Sequence, residues 1–527
     1  MLWRAVPATR HEAHFGRVVR CFAARPANLG AMFAATVAAH GAREALVDGP
    51  HRLDYAKLDR VTDRVAGHFH RLGIGRGDRV ALLLANEREF VFALLGAVKL
   101  GAIAVPINIR EQRPELAFIL GQCGARAIVF DAGLADRVPA PAETPALAIR
   151  LAVGGSVPGA TSFDALLEAH SPAAPRPEVA EDEPAVILYT SGTTGRPKGA
   201  MLTHLNVVHS CLHYQTCMDL TAADRSLLAV PASHVTGLVA IILAMVAVGG
   251  CVIMLREFKA PAFLDLAAAE RMTHTLVVPA IYNLCLRDPG FDRRDLSAWR
   301  IGGFGGAPMP EGTIRALAEK LPRLTLVNAY GATETTSPTT IMPPGMQAAH
   351  LDSVGQVVPC GEVRVMDPAG REVAPGEPGE IWIGGPMVVP GYWDNAEATA
   401  REFCGGYWKS GDLGSIDEHG FVRVFDRLKD LVNRGGYKVY SAEVESVLSL
   451  HPSVVEAALV AVADPVLGEK THAHVVTRDP ACTAALLREH CARHLADYKV
   501  PDFVTLHAEP LPRNANGKLL KRALREL

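Results

Sequence analysis

A chain of 527 residues with 49% hydrophobic and 21% charged content is long enough for more than one domain and too apolar to be disordered. A net charge of −3 leaves no basic excess for a nucleic-acid partner. The ten cysteines include no C-x-x-C pair, which argues against a zinc knuckle or disulfide framework and fits a reducing, cytoplasmic compartment.

Residues 1–28 carry Arg4, Arg10, Arg17, Arg20 and Arg25 against one acid, Glu12. They read as an extension outside the folded body: a disordered leader, a targeting segment without a secretory core, or an early start codon. Apolar spacing then predicts a helix over 53–73, a strand over 79–86, a helix over 89–101, and short strands over 102–108 and 125–131. That alternation predicts a parallel sheet covered by helices. Residues 132–184, rich in Ala, Pro and Gly, predict a looping insert.

An apolar strand over 185–190 runs straight into "YTSGTTGRPKG", residues 189–199. Gly192, Gly195 and Gly199 let backbone approach a ligand, Thr190, Ser191, Thr193 and Thr194 add hydroxyls, and Arg196 and Lys198 add charge. Such a nest of N–H groups suits phosphate. A flexible linker is the plainer reading of a Gly/Ser/Thr run, and the preceding strand argues against it. The loop is not a Walker A motif, because Lys198 lies between Pro197 and Gly199.

Residues 235–255 hold no charge over a length that meets the roughly 20-residue criterion for a membrane span. Gly249-Gly250 divides them into a helix and a short strand, and no aromatic belt flanks them, so a buried core is expected. Further strands are predicted over 275–280 and 324–330, with a helix over 311–321 between them. Residues 354–425 are dense in turns and read as a β-rich subdomain, and after Asp426 the pattern becomes a compact α+β module. The expected domains are therefore 29–425 and 426–527.

Three further stretches carry chemistry. "NAYGATET" (328–335) offers Tyr330 for stacking on a base, Thr333 for a phosphate and Glu334 for Mg2+, though in isolation a solvated loop explains it as well. "YWKSGDLG" (407–414) places Asp412 where a carboxylate can accept two hydroxyl protons of a diol, or make an Asx turn. "LPRNANGKLLKR" (511–522) puts Lys518 after an Asn-Gly turn, where a lysine is usually solvated.

In this order, "YTSGTTGRPKG", "YGATE", "SGD", "DRLKD…GGYKV…AEVE" and "RNANGK" resemble the adenylate-forming superfamily of acyl-CoA synthetases, aryl-CoA ligases, luciferases and peptide-synthetase adenylation domains. The resemblance spans nearly the whole chain. It implies an α/β fold: a large N-terminal domain of parallel-rich sheets and helices with a β-rich subdomain, and a small mobile α+β C-terminal domain. It also implies two half-reactions. A carboxylate and ATP give acyl-adenylate and pyrophosphate, and the acyl group then passes to a thiol, with CoA the expected acceptor.

Carried onto this sequence, the resemblance gives the loop from Thr190 to Lys198 the phosphates and Glu334 the Mg2+. Gly306, Ala307 and Pro308 meet the adenine, with Tyr330, Gly331 and Thr333 beside the nucleotide. Asp412 and Arg427 hold the ribose, and Lys518 stabilises charge at the α-phosphate. Lys429 is the pivot of a domain rotation, after which Gly435, Gly436 and Tyr437 border the pantetheine of CoA.

The same resemblance places His234 at the acyl pocket, with Val235, Gly237, Gly303, Gly305 and Pro338 in its wall. No acid lies between Asp224 and Glu257, which argues against an amino-acid substrate. Gly302, Gly303 and Gly305 leave room for length, so a medium- or long-chain fatty acid is expected. An aryl acid is the alternative, as is a short dicarboxylate if Arg256 or Arg271 turns inward. A non-catalytic acyl-binding relative is a remoter reading, and a homodimer is left open.

Overall fold

In the computed structural model, which describes residues 3, 6–171, 173–190, 196–513 and 519–526, packing divides the chain into two units. The first is Met1–Val363 with Ile383–Lys409, and the second is Arg364–Trp382 with Ser410–Leu527. The fold is α/β with a smaller C-terminal α+β part, as expected. The packing division is not the single cut at 425/426, because the strand Tyr407–Ile416 runs across the boundary.

A seven-stranded sheet in the first unit has the spatial order Lys198–Thr203, Pro184–Thr190, Ile103–Pro106, Arg79–Leu83, Ala127–Asp131, Ile149–Val153 and Thr161–Ser162. All its pairings are parallel except the first. The insert expected over 132–184 therefore contributes two sheet strands. Its "LAV" (151–153) is fully or nearly buried, a short apolar run that the surrounding Ala and Pro content obscured.

A second set of parallel strands runs Glu44–Asp48, Cys251–Met254, Arg225–Leu228, His274–Val277, Ile301–Phe304 and Thr325–Tyr330 in space. The charge-free stretch 235–255 is interior. Thr236–Leu243 winds as a π-helix, Ala244–Val248 as an α-helix, Gly249 turns the chain at φ 74°, and Cys251–Met254 is a central strand. Among the described residues no helix is long and apolar enough to cross a membrane.

The arginine-rich leader is not a tail. Thr9–His14 and Arg17–Phe22 pair as an antiparallel hairpin through Phe15 and Gly16, which both take positive φ. Val19, Cys21 and Phe22 are buried. Arg25 binds Glu12 and Glu181 at 2.6 and 2.9 Å, and Arg17 donates to the Gly406 carbonyl at 2.8 Å. Ion pairing and burial order this segment, and composition alone shows neither.

In the second unit, Val454–Asp464 and Gly468–Thr477 form a long hairpin, flanked by Val432–Arg434 and by Phe503–His507. Ser441–Ser449 and Ala484–His494 cover it, burying Val444, Leu448, Leu487 and Cys491 against Leu459 and Val475. Of the ten cysteines, all described, Cys404 is exposed and the other nine are buried.

Candidate active site

Parallel strands bring their C-terminal ends to one edge, where ligands of open α/β sheets bind. At that edge Ile301–Phe304 delivers Gly305 to Pro308, and its neighbour Thr325–Tyr330 delivers Tyr330. Gly306 has φ 76°, and it, Ala307 and Pro308 are exposed, while Tyr330 is half-buried. A Cβ on Gly305 would lie 2.3 Å from the Ala329 carbonyl, so this glycine is demanded by close backbone approach. These residues therefore stand together as an exposed turn beside an aromatic.

Glu334 follows on a 3-10 turn, Thr333–Thr335, and is buried. Thr190 and Lys198 face each other across the antiparallel strands that flank the glycine loop. The described segments on either side are thus an antiparallel strand pair, not the strand followed by a helix of a P-loop. Thr190 Oγ1 donates to Glu334 Oε1 at 3.4 Å, so the loop's root and the carboxylate meet. Buried carboxylate and hydroxyl oxygens fit a hard cation such as Mg2+, which takes oxygen ligands.

Two residues that the sequence did not single out complete this cluster. Tyr392 Oη lies 2.9 Å from Glu334 and 2.6 Å from Glu402. The Lys198 ammonium is 2.5 Å from Glu402 and 4.3 Å from the centre of the Tyr392 ring. Burial opposes ionisation of Glu402, but bonds from Lys198, Tyr392 and Arg401 outweigh it and hold its carboxyl below the usual value. Burial first, and Glu334 second, push the Tyr392 phenol upward, so it stays a donor. The signal was present in "GYWDNAEATAREF" (391–403), an aromatic and a carboxylate beside a glycine, but nothing local said where they point.

His234 leaves the strand Arg225–Leu228 in a loop whose shape is set by Asn86. That side chain donates to the carbonyls of Val230 and Leu255 at 3.0 Å and accepts from Ala232 N–H at 2.8 Å. His234 Nδ1 is 3.2 Å from Thr236 Oγ1. Val235 is buried, and Gly237 packs so tightly that a Cβ would come 2.3 Å from the Pro231 carbonyl. Gly331 lies under Thr335, Pro338 and Thr339, which a Cβ would meet between 3.1 and 3.3 Å.

The room expected beside the glycine strand is taken up close to Gly302 and Gly303. A Cβ at Gly302 would lie 2.9 Å from Tyr282 Oη, and one at Gly303 would lie 3.0 Å from Leu276 Cγ. Tyr282 donates to the Gly303 carbonyl at 2.8 Å and stacks on Trp299 at 5.8 Å. Neighbouring side chains fill the space those two glycines vacate. Arg256 is bound by Glu87 and Asp131, and Arg271 is exposed.

Within the second unit, Asp412 and Arg427 face each other across adjacent strands, with Arg427 Nε 2.6 Å from the buried Asp412 carboxylate. Lys429 is exposed, and the partial desolvation it meets lowers the pKa of its ammonium. Gly435 and Gly436, at φ 58° and 92°, form the two-residue turn between Arg434 and Tyr437, and Tyr437 stacks on Tyr498 at 4.8 Å. Nothing lies within 4 Å of a Cβ at Gly436, so the turn itself accounts for that glycine. Ser191, Gly192, Thr193, Thr194, Gly195 and Lys518 lie outside the described residues.

Residues 33–393, which hold the buried Glu334, the exposed Gly-Ala-Pro turn and Tyr330, match the model of the AMP-binding enzyme family. The AMP-binding enzyme C-terminal domain matches residues 443–518. The chain belongs to the AMP-binding enzyme family. This family member is 36% identical to a long-chain-fatty-acid–CoA ligase of Mycobacterium tuberculosis, over 90% of the chain and 93% of that protein. It is 35% identical to a feruloyl-CoA synthase of Amycolatopsis, over 90% and 94%. The o-succinylbenzoate CoA synthetase of Bacillus subtilis, solved with its acyl-adenylate intermediate, superposes with a TM-score of 0.84 at 29% identity, covering 94% of this chain and 97% of that one. The same enzyme is also solved with ATP and a magnesium ion. This AMP-binding enzyme is an ATP-dependent, AMP-forming acid–thiol ligase that uses ATP, Mg2+ and CoA.

Proposed function

We propose that this ligase joins a compact aryl or arylalkanoic acid to CoA. The observation that carries the reading is the filled space beside Gly302 and Gly303, where Tyr282 and Leu276 stand in place of a channel for a long chain. The dicarboxylate alternative loses its partners, since Arg256 is held by two acids and Arg271 faces solvent. The names of the feruloyl and o-succinylbenzoate relatives support the aryl reading. A longer acyl chain is the second reading, favoured by the 36% identity to the mycobacterial ligase.

In this reading the exposed turn at Gly306 to Pro308 and Tyr330 takes the adenine, and Asp412 with Arg427 takes the ribose. Glu334 and Thr190 hold Mg2+, which supplies positive charge to the triphosphate. Lys518 stabilises charge at the α-phosphate, an electrostatic contact worth on the order of 3–4 kcal/mol. His234 borders the acid, Lys429 is the pivot, and Gly435 to Tyr437 meet CoA. The reaction takes place in the cytoplasm.

Pyrophosphate release with a panel of hydroxycinnamates, arylacetates, benzoates and C6–C16 fatty acids, with and without CoA, tests the proposal. Aryl acids are expected to give kcat/KM at least about tenfold above any fatty acid, a discrimination of about 1.4 kcal/mol. A higher value for palmitate than for every aryl acid rejects it.

A further inference from the structure

We infer that Lys198 is a positioning residue, fixed by Glu402 and Tyr392, and not a ligand of the nucleotide phosphates. A lysine closing a glycine-hydroxyl loop invites the phosphate role, but its ammonium is already committed. It is buried, paired with Glu402 at 2.5 Å, and within 3.2 Å of Tyr392 Oη. Drawing the lysine away would take from Glu402 its shortest charged contact, leaving Arg401 at 2.9 Å. A phosphate would have to outbid that to draw the lysine away.

The contacts close into a ring. Thr190 Oγ1 reaches Glu334 at 3.4 Å, and Glu334 accepts from Tyr392 at 2.9 Å. Tyr392 contacts Glu402 at 2.6 Å, and Glu402 binds Lys198 at 2.5 Å. Thr190 Oγ1 also lies 3.5 Å from the Lys198 carbonyl, and its one proton serves that oxygen or Glu334. Both ends of the glycine loop and the carboxylate assigned to the cation thus share one network, with the Lys198–Glu402 pair as its charged clasp. The phenol carries a single proton between two carboxylate oxygens, so it can donate to one of them at a time. The ammonium donates to the same Glu402 oxygen that the phenol meets, while Arg401 donates to the other at 2.9 Å. The ammonium's task is to keep Glu402 satisfied and Tyr392 facing Glu334.

Titration calorimetry with Mg·ATP, on the full-length protein, separates the two roles. A positioning lysine predicts that Lys198→Met weakens ATP binding by about tenfold, and that the double variant Lys198→Met/Glu402→Met returns to within about threefold of the parent. That recovery is expected because apolar replacement of a whole buried pair is often neutral. A phosphate ligand predicts that the double variant binds no better than the single one, and that outcome overturns the inference. Glu402→Gln adds a variant that keeps the lysine: positioning predicts looser ATP binding, whereas a freed phosphate ligand binds ATP as tightly or more tightly. Tyr392→Phe should weaken Mg·ATP while leaving the KM for CoA, measured from supplied acyl-adenylate, unchanged; an equal loss in both sinks it. The inference rests on ATP as the nucleotide, and a parent protein that does not bind ATP removes both.

Discussion

Arg256 spans two carboxylates, Glu87 at the start of the helix Arg88–Lys99 and Asp131 at the end of the strand Ala127–Asp131. Glu87 is buried with its second oxygen unpartnered, and that burial pushes its carboxyl up to about 7 despite the guanidinium. The ordinary value is 4.5, so between 4.5 and about 7 the folded state holds a proton that the unfolded state has released. Stability contributed here is therefore greatest at acid pH and falls as pH rises through that window. Glu87→Gln fixes the neutral form. Relative to the parent, its melting temperature should gain at pH 8 and not at pH 5. The same offset at both pH values would show that Glu87 is ionised throughout.

The two-residue turn at Gly435-Gly436 joins Val432–Arg434 to Tyr437–Val439 and needs positive φ at both positions. The nearest atom to a Cβ at Gly436 is beyond 4 Å, so the penalty of a side chain there is conformational, about 1–2 kcal/mol for Ala. Asn tolerates that backbone region better. Gly436→Asn should thus keep thioester formation from supplied acyl-adenylate near the parent rate, with Gly436→Ala lower. If both variants lose that step equally while adenylation survives, the glycine is needed to admit CoA and not to make the turn. The hairpin itself was readable only as a motif, since "GGYKV" carries no label saying whether its glycines serve a ligand or a bend. Elements with a strong period were legible: helix Tyr55–Arg71 and strand Arg79–Leu83 fall where apolar spacing put them. Glu402 was not, because its partner Lys198 is 204 positions away and no local pattern encodes that meeting.

Across the whole molecule, composition marked the change of character near Asp426, yet packing assigns Arg364–Trp382 and the chain from Ser410 onward to one unit. Turn-rich sequence showed that residues 354–425 are β-structured but not to which body each strand adheres, since strand alternation reports faces and not partners. Motif order made the reaction class legible, whereas the acid was not, because Tyr282 and Leu276 reach the glycine strand from other elements. The expectation that the smaller domain moves between half-reactions can be examined with the thiols already present. Nine cysteines are shielded and Cys404, in the first unit, is open to solvent. The chain therefore carries a natural attachment point for a maleimide fluorophore. A second dye at Val466→Cys, on an 86% exposed turn of the other unit, completes a ruler. Energy transfer should differ between the protein with acyl-adenylate alone and the protein with a non-reactive CoA analogue added, and one unchanging efficiency would mean that a single arrangement serves both steps.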